Sequence, residues 1–153
     1  MKVLGVEAST KGVNLAILEG TRKRPSLVKL ATKTQKLAND DDEAIALHKF
    51  YKLIRAFLDE KKVEKVAILA AGVRRFGGAP SLRPKIEAVV QLAAAERAIP
   101  VEMVSPNTLR SEEKKFADAT GEENPEQCFN DGEPFVPKDW KDAVLVGWLG
   151  IDE

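Results

Sequence analysis

Apolar and polar positions alternate at the start of the chain, and the period then changes. Val3, Leu4 and Val6 around Gly5 mark a strand over Lys2 to Ser9. Lys11-Gly12 marks a tight turn, and Val13, Leu15 and Ile17 alternate along a second strand to Glu19. After a turn around Arg24-Pro25, Leu27, Val28 and Leu30 mark a third strand over Ser26 to Thr34. Three strands joined by short turns imply an antiparallel meander.

The helical period follows. Asn39-Asp40-Asp41-Asp42 supplies N-cap candidates and an acidic first turn for a helix to about Lys61. Leu47, Tyr51, Ile54 and Leu58 step along one side of it, with Phe50 and Phe57 beside Ile54. Val63 to Ala70 is an apolar run of strand length. A glycine-rich loop leads to a helix over Ser81 to Ala98, with Pro84 in its first turn and a stripe of Ile86, Val89 or Val90, and Ala93. A short strand over Pro100 to Val104, a helix from Pro106 to about Ala117, a polar loop over 118–137 and an apolar helix from Lys138 to Leu149 complete the chain. The order β-β-β-α-β-α-β-α-loop-α predicts an α/β fold: a mixed five-stranded sheet, an antiparallel meander followed by parallel strands, with helices on both faces.

Composition narrows the class. With 153 residues and 44% hydrophobic content, a single globular domain is expected. No apolar run reaches the roughly 18 residues of a membrane span, and Met1 leads directly into a strand, which leaves no room for a signal peptide. Cys128 is the one cysteine, so a reducing, cytoplasmic setting is expected. Cys128 and His48 lack partners in the sequence that would mark a nucleophile or a metal ligand. Trp140 and Trp148 suit either the core or a homodimer interface.

Net charge is zero but unevenly placed. Residues 1–76 hold 16 Lys and Arg against 9 Asp and Glu; the remainder reverses the balance. Arg22, Lys23, Arg24, Lys29, Lys33 and Lys36 form an acid-free stretch, either a polyanion-facing surface or a solvated hairpin. Arg74-Arg75-Phe76-Gly77-Gly78 leads into a helix N-terminus, which suits a phosphate or a turn with two exposed arginines. It lacks the Gly-Lys-Ser/Thr ending of a P-loop.

Three places bear on chemistry. Glu7 closes an apolar strand, where burial of a carboxylate is costly unless it is paired or binds metal. Asp139 and Asp142, three apart, share one side of the closing helix, where capping explains Asp139 better than Asp142. The third place is a gap: Leu69-Ala70-Ala71 follows the fourth strand, where a two-metal nuclease of this topology needs another acid, unless Glu87 reaches in.

These residues resemble a known superfamily. The element order is similar to that of RNase H-like proteins. Leu4-Gly5-Val6-Glu7-Ala8-Ser9 with its return strand resembles the opening of the RuvC-type Holliday-junction resolvases, and Asp139-Trp140-Lys141-Asp142-Ala143 resembles their closing Asp-x-x-Asp-Ala helix. A closer resemblance is to a small bacterial family catalogued as a domain of unknown function. It is carried by Gly5-Val6-Glu7, Val63 to Ile68, Arg75-Phe76-Gly77-Gly78, Lys85-Ile86-Glu87-Ala88 with Gln91-Leu92, and Ser105-Pro106-Asn107-Thr108. The resemblance implies Glu7, Asp139 and Asp142 as catalytic acids, and Glu7 and Asp142 as ligands of Mg²⁺ or Mn²⁺. Together with the basic meander and the arginine loop, it points to DNA or RNA contacts at Lys11, Arg22, Lys23, Arg24, Arg74 and Arg75. The chain departs from the resolvases in having Glu where they begin with Asp, and from the smaller family in having Leu69-Ala70 where its members carry Lys-Glu.

Three functions are therefore open: a nucleic-acid-associated protein with an incomplete nuclease site; an interaction or scaffold protein that keeps only the fold; and an actin-like phosphotransferase. Ala8-Ser9-Thr10-Lys11-Gly12 echoes the last class only loosely, and 153 residues are few for two lobes around ATP.

Overall fold

The computed structural model describes residues 1–30, 34–71, 82–121 and 140–152. The strands are β1 (Lys2–Ala8), β2 (Gly12–Thr21), β3 (Arg24–Val28), β4 (Thr34–Lys36), β5 (Lys65–Leu69) and β6 (Val101–Val104). The helices are α1 (Glu43–Lys61), α2 (Leu82–Ala95), α3 (Pro106–Thr120) and α4 (Lys141–Leu149). The strands form one mixed sheet in the order β3-β2-β1-β5-β6. β1 pairs antiparallel with β2 and parallel with β5, and β5 pairs parallel with β6.

The expected third strand arrives in two pieces. β3 pairs with the far half of β2, and β4 pairs with Gly12 to Asn14 at its start, so among the described residues the sheet counts six strands rather than five. Helix α3 runs to Thr120, into what the sequence suggested was loop, and ends on Gly121 with φ 77°. The remainder of that loop lies outside the described residues.

Alternation along β1 explains the two-sided packing. Leu4, Val6 and Ala8 turn to one face, where they meet Phe50, Ile54 and Leu58 of α1 and Ile86 and Val90 of α2. Val3, Gly5 and Glu7 turn to the other. There Ala16, Leu18 and Ala67 pack with Phe116 of α3 and with α4, which is buried from Ala143 to Leu149. The apolar residues thus form two clusters, one on each side of a single sheet.

Caps fix the helix starts. Asp42 accepts hydrogen bonds from the amides of Ala44 and Ile45, and Ser105 accepts one from Thr108 ahead of Pro106. Both tryptophans belong to the core rather than to an external surface, each 2% exposed. Trp140 donates its indole N–H to the Leu15 carbonyl at 2.7 Å, and Trp148 donates to the Arg22 carbonyl at 2.9 Å. Among the described residues, no helix is long and apolar enough to cross a membrane.

Candidate nucleic-acid interface and acid site

The site is built by one close approach. At Gly5 a Cβ would collide with the carbonyl oxygen of Ala143 and lie 2.6 Å from the amide nitrogen of Gly147. Two glycines therefore let α4 lie directly on β1. Gly150, which caps the C-terminal end of α4, stands over Val3 and Ala67, so α4 runs antiparallel to β1. Glu7 is two strand residues beyond Gly5, roughly 6.6 Å. Asp142 is five helical residues before Gly147, roughly 7.5 Å. The two carboxylates consequently reach the same end of the sheet and the same face of it.

The register defines what stands around Glu7. Across the sheet, Thr34 pairs with Asn14, Asn14 with Glu7, Glu7 with Leu69, and Leu69 with Val104. Asn14 donates from Nδ2 to Glu7 Oε2 at 3.4 Å and accepts at Oδ1 from the Thr34 hydroxyl at 2.9 Å. On one side, then, Glu7 has a polar row. On the other side it has Leu69, 5% exposed and packed in the α3/α4 cluster. The position lateral to Glu7 is apolar.

Asp142 borders a cavity of about 230 Å³, lined also by Leu69, Pro106, Leu109, Arg110, Glu113 and Leu145. Burial pushes the Asp142 carboxyl above its ordinary value. Glu113 acts in the same direction, while Lys141, Arg83 and Arg110 oppose it. Lys141 is itself ion-paired with Glu113. An acid with a raised folded-state pKa binds its proton more tightly folded than unfolded. Stability therefore falls as pH rises from 3.8 through the raised value, and above it the ionised carboxylate weighs against the fold. Asp142→Asn is expected to raise the melting temperature at pH 7, with the gain disappearing as pH falls below 3.8. A melting-temperature difference that grew toward acid would contradict this account.

Glu87 does not stand as an isolated acid. It is 6% exposed on α2 and is paired with Arg83, whose Nε lies 3.2 Å from its Oε1. Arg83 Nη2 donates to the Leu69 carbonyl at 3.3 Å. The i,i+4 spacing of Arg83 and Glu87 is visible in the sequence, but the burial that makes the pair matter is not. Among the described residues, no three His, Cys, Asp or Glu side chains are grouped to hold a metal ion. Mg²⁺ asks for near-octahedral oxygen ligation. Asp139, Arg74 and Arg75 lie outside the described residues, as does Cys128.

The basic candidates separate. Lys11 is exposed in the β1–β2 turn, at the acid-bearing end. Arg22, Lys23 and Arg24 sit at the β2–β3 turn, seven residues of β2 beyond Asn14, or roughly 23 Å away. Lys23 and Arg24 are exposed. Arg22 turns inward: Nε donates to the Ile151 carbonyl at 2.8 Å and Nη2 to the Leu149 carbonyl at 2.9 Å, with the guanidinium 5.6 Å from the centre of the Trp148 ring. It closes the C-terminal end of α4, where carbonyls attract a cation. Charge counting could not foresee this role, because its partners lie 127 and 129 residues away. His48, also set aside by sequence, stacks on Tyr51.

This fold is that of the RuvC-type Holliday junction resolvases, an RNase H-like fold. The structure of Thermus thermophilus RuvC in complex with Holliday junction substrate superposes with a TM-score of 0.74 at 15% identity, over 97% of this chain and 90% of that one. Thermus thermophilus RuvC alone gives 0.74 at 18% identity, over 97% and 92%. The yeast mitochondrial Holliday junction resolvase gives 0.60 at 15% identity, over 95% and 75%. No curated protein matches the chain. Residues 1–124 match the family model "Protein of unknown function (DUF3010)", and the chain belongs to that family.

Proposed function

We propose that this is a nucleic-acid-associated protein whose acid-bearing end of the sheet faces branched DNA or RNA, and whose metal-dependent nuclease site is incomplete. The observation that carries the second half is Leu69, which fills the place beside Glu7 with a buried aliphatic side chain. The first half is supported by a fold shared over 97% of the chain with a resolvase held on a Holliday junction. Lys11 lies at the acid-bearing end, and Lys23 and Arg24 lie roughly 23 Å along β2. A duplex turn of about 34 Å spans both.

The test is fluorescence anisotropy with a four-way junction, linear duplex, single strand and RNA–DNA hybrid, each across a salt series. Cleavage is then assayed with Mg²⁺ or Mn²⁺ in wild type and Glu7→Ala. Binding that weakens steeply with salt is expected, with cleavage no faster in wild type than in the variant. Absence of binding at low salt would refute nucleic-acid association. Cleavage that Glu7→Ala abolishes would show a complete site.

A further inference from the structure

The end of the sheet that carries Glu7 and Asp142 holds a fixed cation of its own. Arg83 is anchored at two points there. Its Nη2 donates to the carbonyl of Leu69, the residue in register with Glu7, and its Nε is paired with Glu87. Glu87 is almost fully buried, whereas the Arg83 side chain keeps 27% of its surface exposed. A buried carboxylate orients the guanidinium, which lies against the last residue of β5 with part of the arginine side chain exposed. Asp142 lies within its electrostatic reach, with Arg110 adding a second positive charge from α3. Like charges repel far more strongly in a partly buried site than in water, so a dication brought between Glu7 and Asp142 meets an opposing charge already in place.

We propose that Arg83 is the permanent cation of this site: it balances Glu7 and Asp142 and receives a nucleic-acid phosphodiester without a divalent metal ion. Guanidinium suits the task, being charged at every accessible pH and shaped for phosphate oxygens. Glu87 is its positioning residue. The inference rests on the nucleic-acid reading above, and it turns the apolar place beside Glu7 from a defect into part of a different arrangement, in which Leu69 supplies a backbone carbonyl to hold the arginine.

The full-length protein is titrated with Mn²⁺ by calorimetry, and its affinity for a labelled four-way junction is measured in excess EDTA and in Mg²⁺. Wild type is expected to bind the junction equally well in both, within about twofold, and to bind Mn²⁺ weakly. Arg83→Gln combined with Glu87→Gln, which leaves no unpaired carboxylate buried, should lose about tenfold in junction affinity in EDTA and gain about tenfold in Mn²⁺ affinity. Arg83→Lys keeps the charge and should retain the weak Mn²⁺ response. Tight Mn²⁺ binding by wild type overturns the proposal without any variant, as does junction binding that requires Mg²⁺. So does a double variant that leaves both affinities unchanged. If wild type binds no junction under any condition, the nucleic-acid reading and the phosphodiester role fall together, while the Mn²⁺ titration still decides whether Arg83 is the site's cation.

Discussion

Gly5→Ala is expected to cost the fold at least about 3 kcal/mol, the upper end of the range for overpacking. The added methyl would meet only backbone: the Ala143 carbonyl oxygen, and the amide nitrogen and Cα of Gly147 at 2.6 and 2.8 Å. No rotamer change can relieve it, so α4 must lift from β1. For a chain of this length the loss corresponds to a melting temperature lower by about 6–12 °C. Gly121→Ala is the comparison. A Cβ there meets nothing within 4 Å, and the cost is limited to the left-handed φ of 77°, about 1 kcal/mol. Thermal unfolding followed by circular dichroism separates the two. Equal losses would show that the contact between Gly5 and α4 is not what the first substitution disturbs. The same contact sets where Asp142 stands, so a folded Gly5→Ala protein should also show altered titration of that carboxyl.

Arg83→Ala is expected to cost about 3 kcal/mol, the lower end of the range for breaking a buried ion pair, because Arg83 is 27% exposed while its partner is not. The penalty comes from leaving Glu87 as an uncompensated charge beneath α2. Arg83→Met with Glu87→Leu removes both charges and should fall within about 1 kcal/mol of wild type by urea denaturation. If the double substitution were as costly as the single one, the arginine's hydrogen bond to Leu69 rather than its pairing with Glu87 would be the source of the loss.

Much of this fold is legible in the sequence because its signals are local. The alternation of Val3, Leu4 and Val6, the stripe of Phe50, Ile54 and Leu58, and the Asp42 and Ser105 caps each lie within one element. The break between β3 and β4 was hidden, since Leu27, Val28 and Leu30 read as one continuous strand. The site was legible only in part. Glu7 and Asp142 stand out by position, and Leu69-Ala70-Ala71 stands out as a stretch without an acid. That Leu69 lies directly beside Glu7 follows from a parallel register 62 residues apart in sequence, which no local pattern encodes. The place of Arg22 is hidden for the same reason. In sequence it belongs to a run of positive charge, and in space it belongs to the end of α4.

The divided third strand has a consequence for how the molecule behaves in a crowded solution. An open sheet edge offers unpaired amides and carbonyls to any other chain, and long flat edges template aggregation. Among the described residues, one side of the sheet presents β3, with five residues, and β4, with three, and the opposite side presents β6, with only four. None is long enough to seed extended strand addition, so the sheet ends on edges that resist propagation from one molecule to the next.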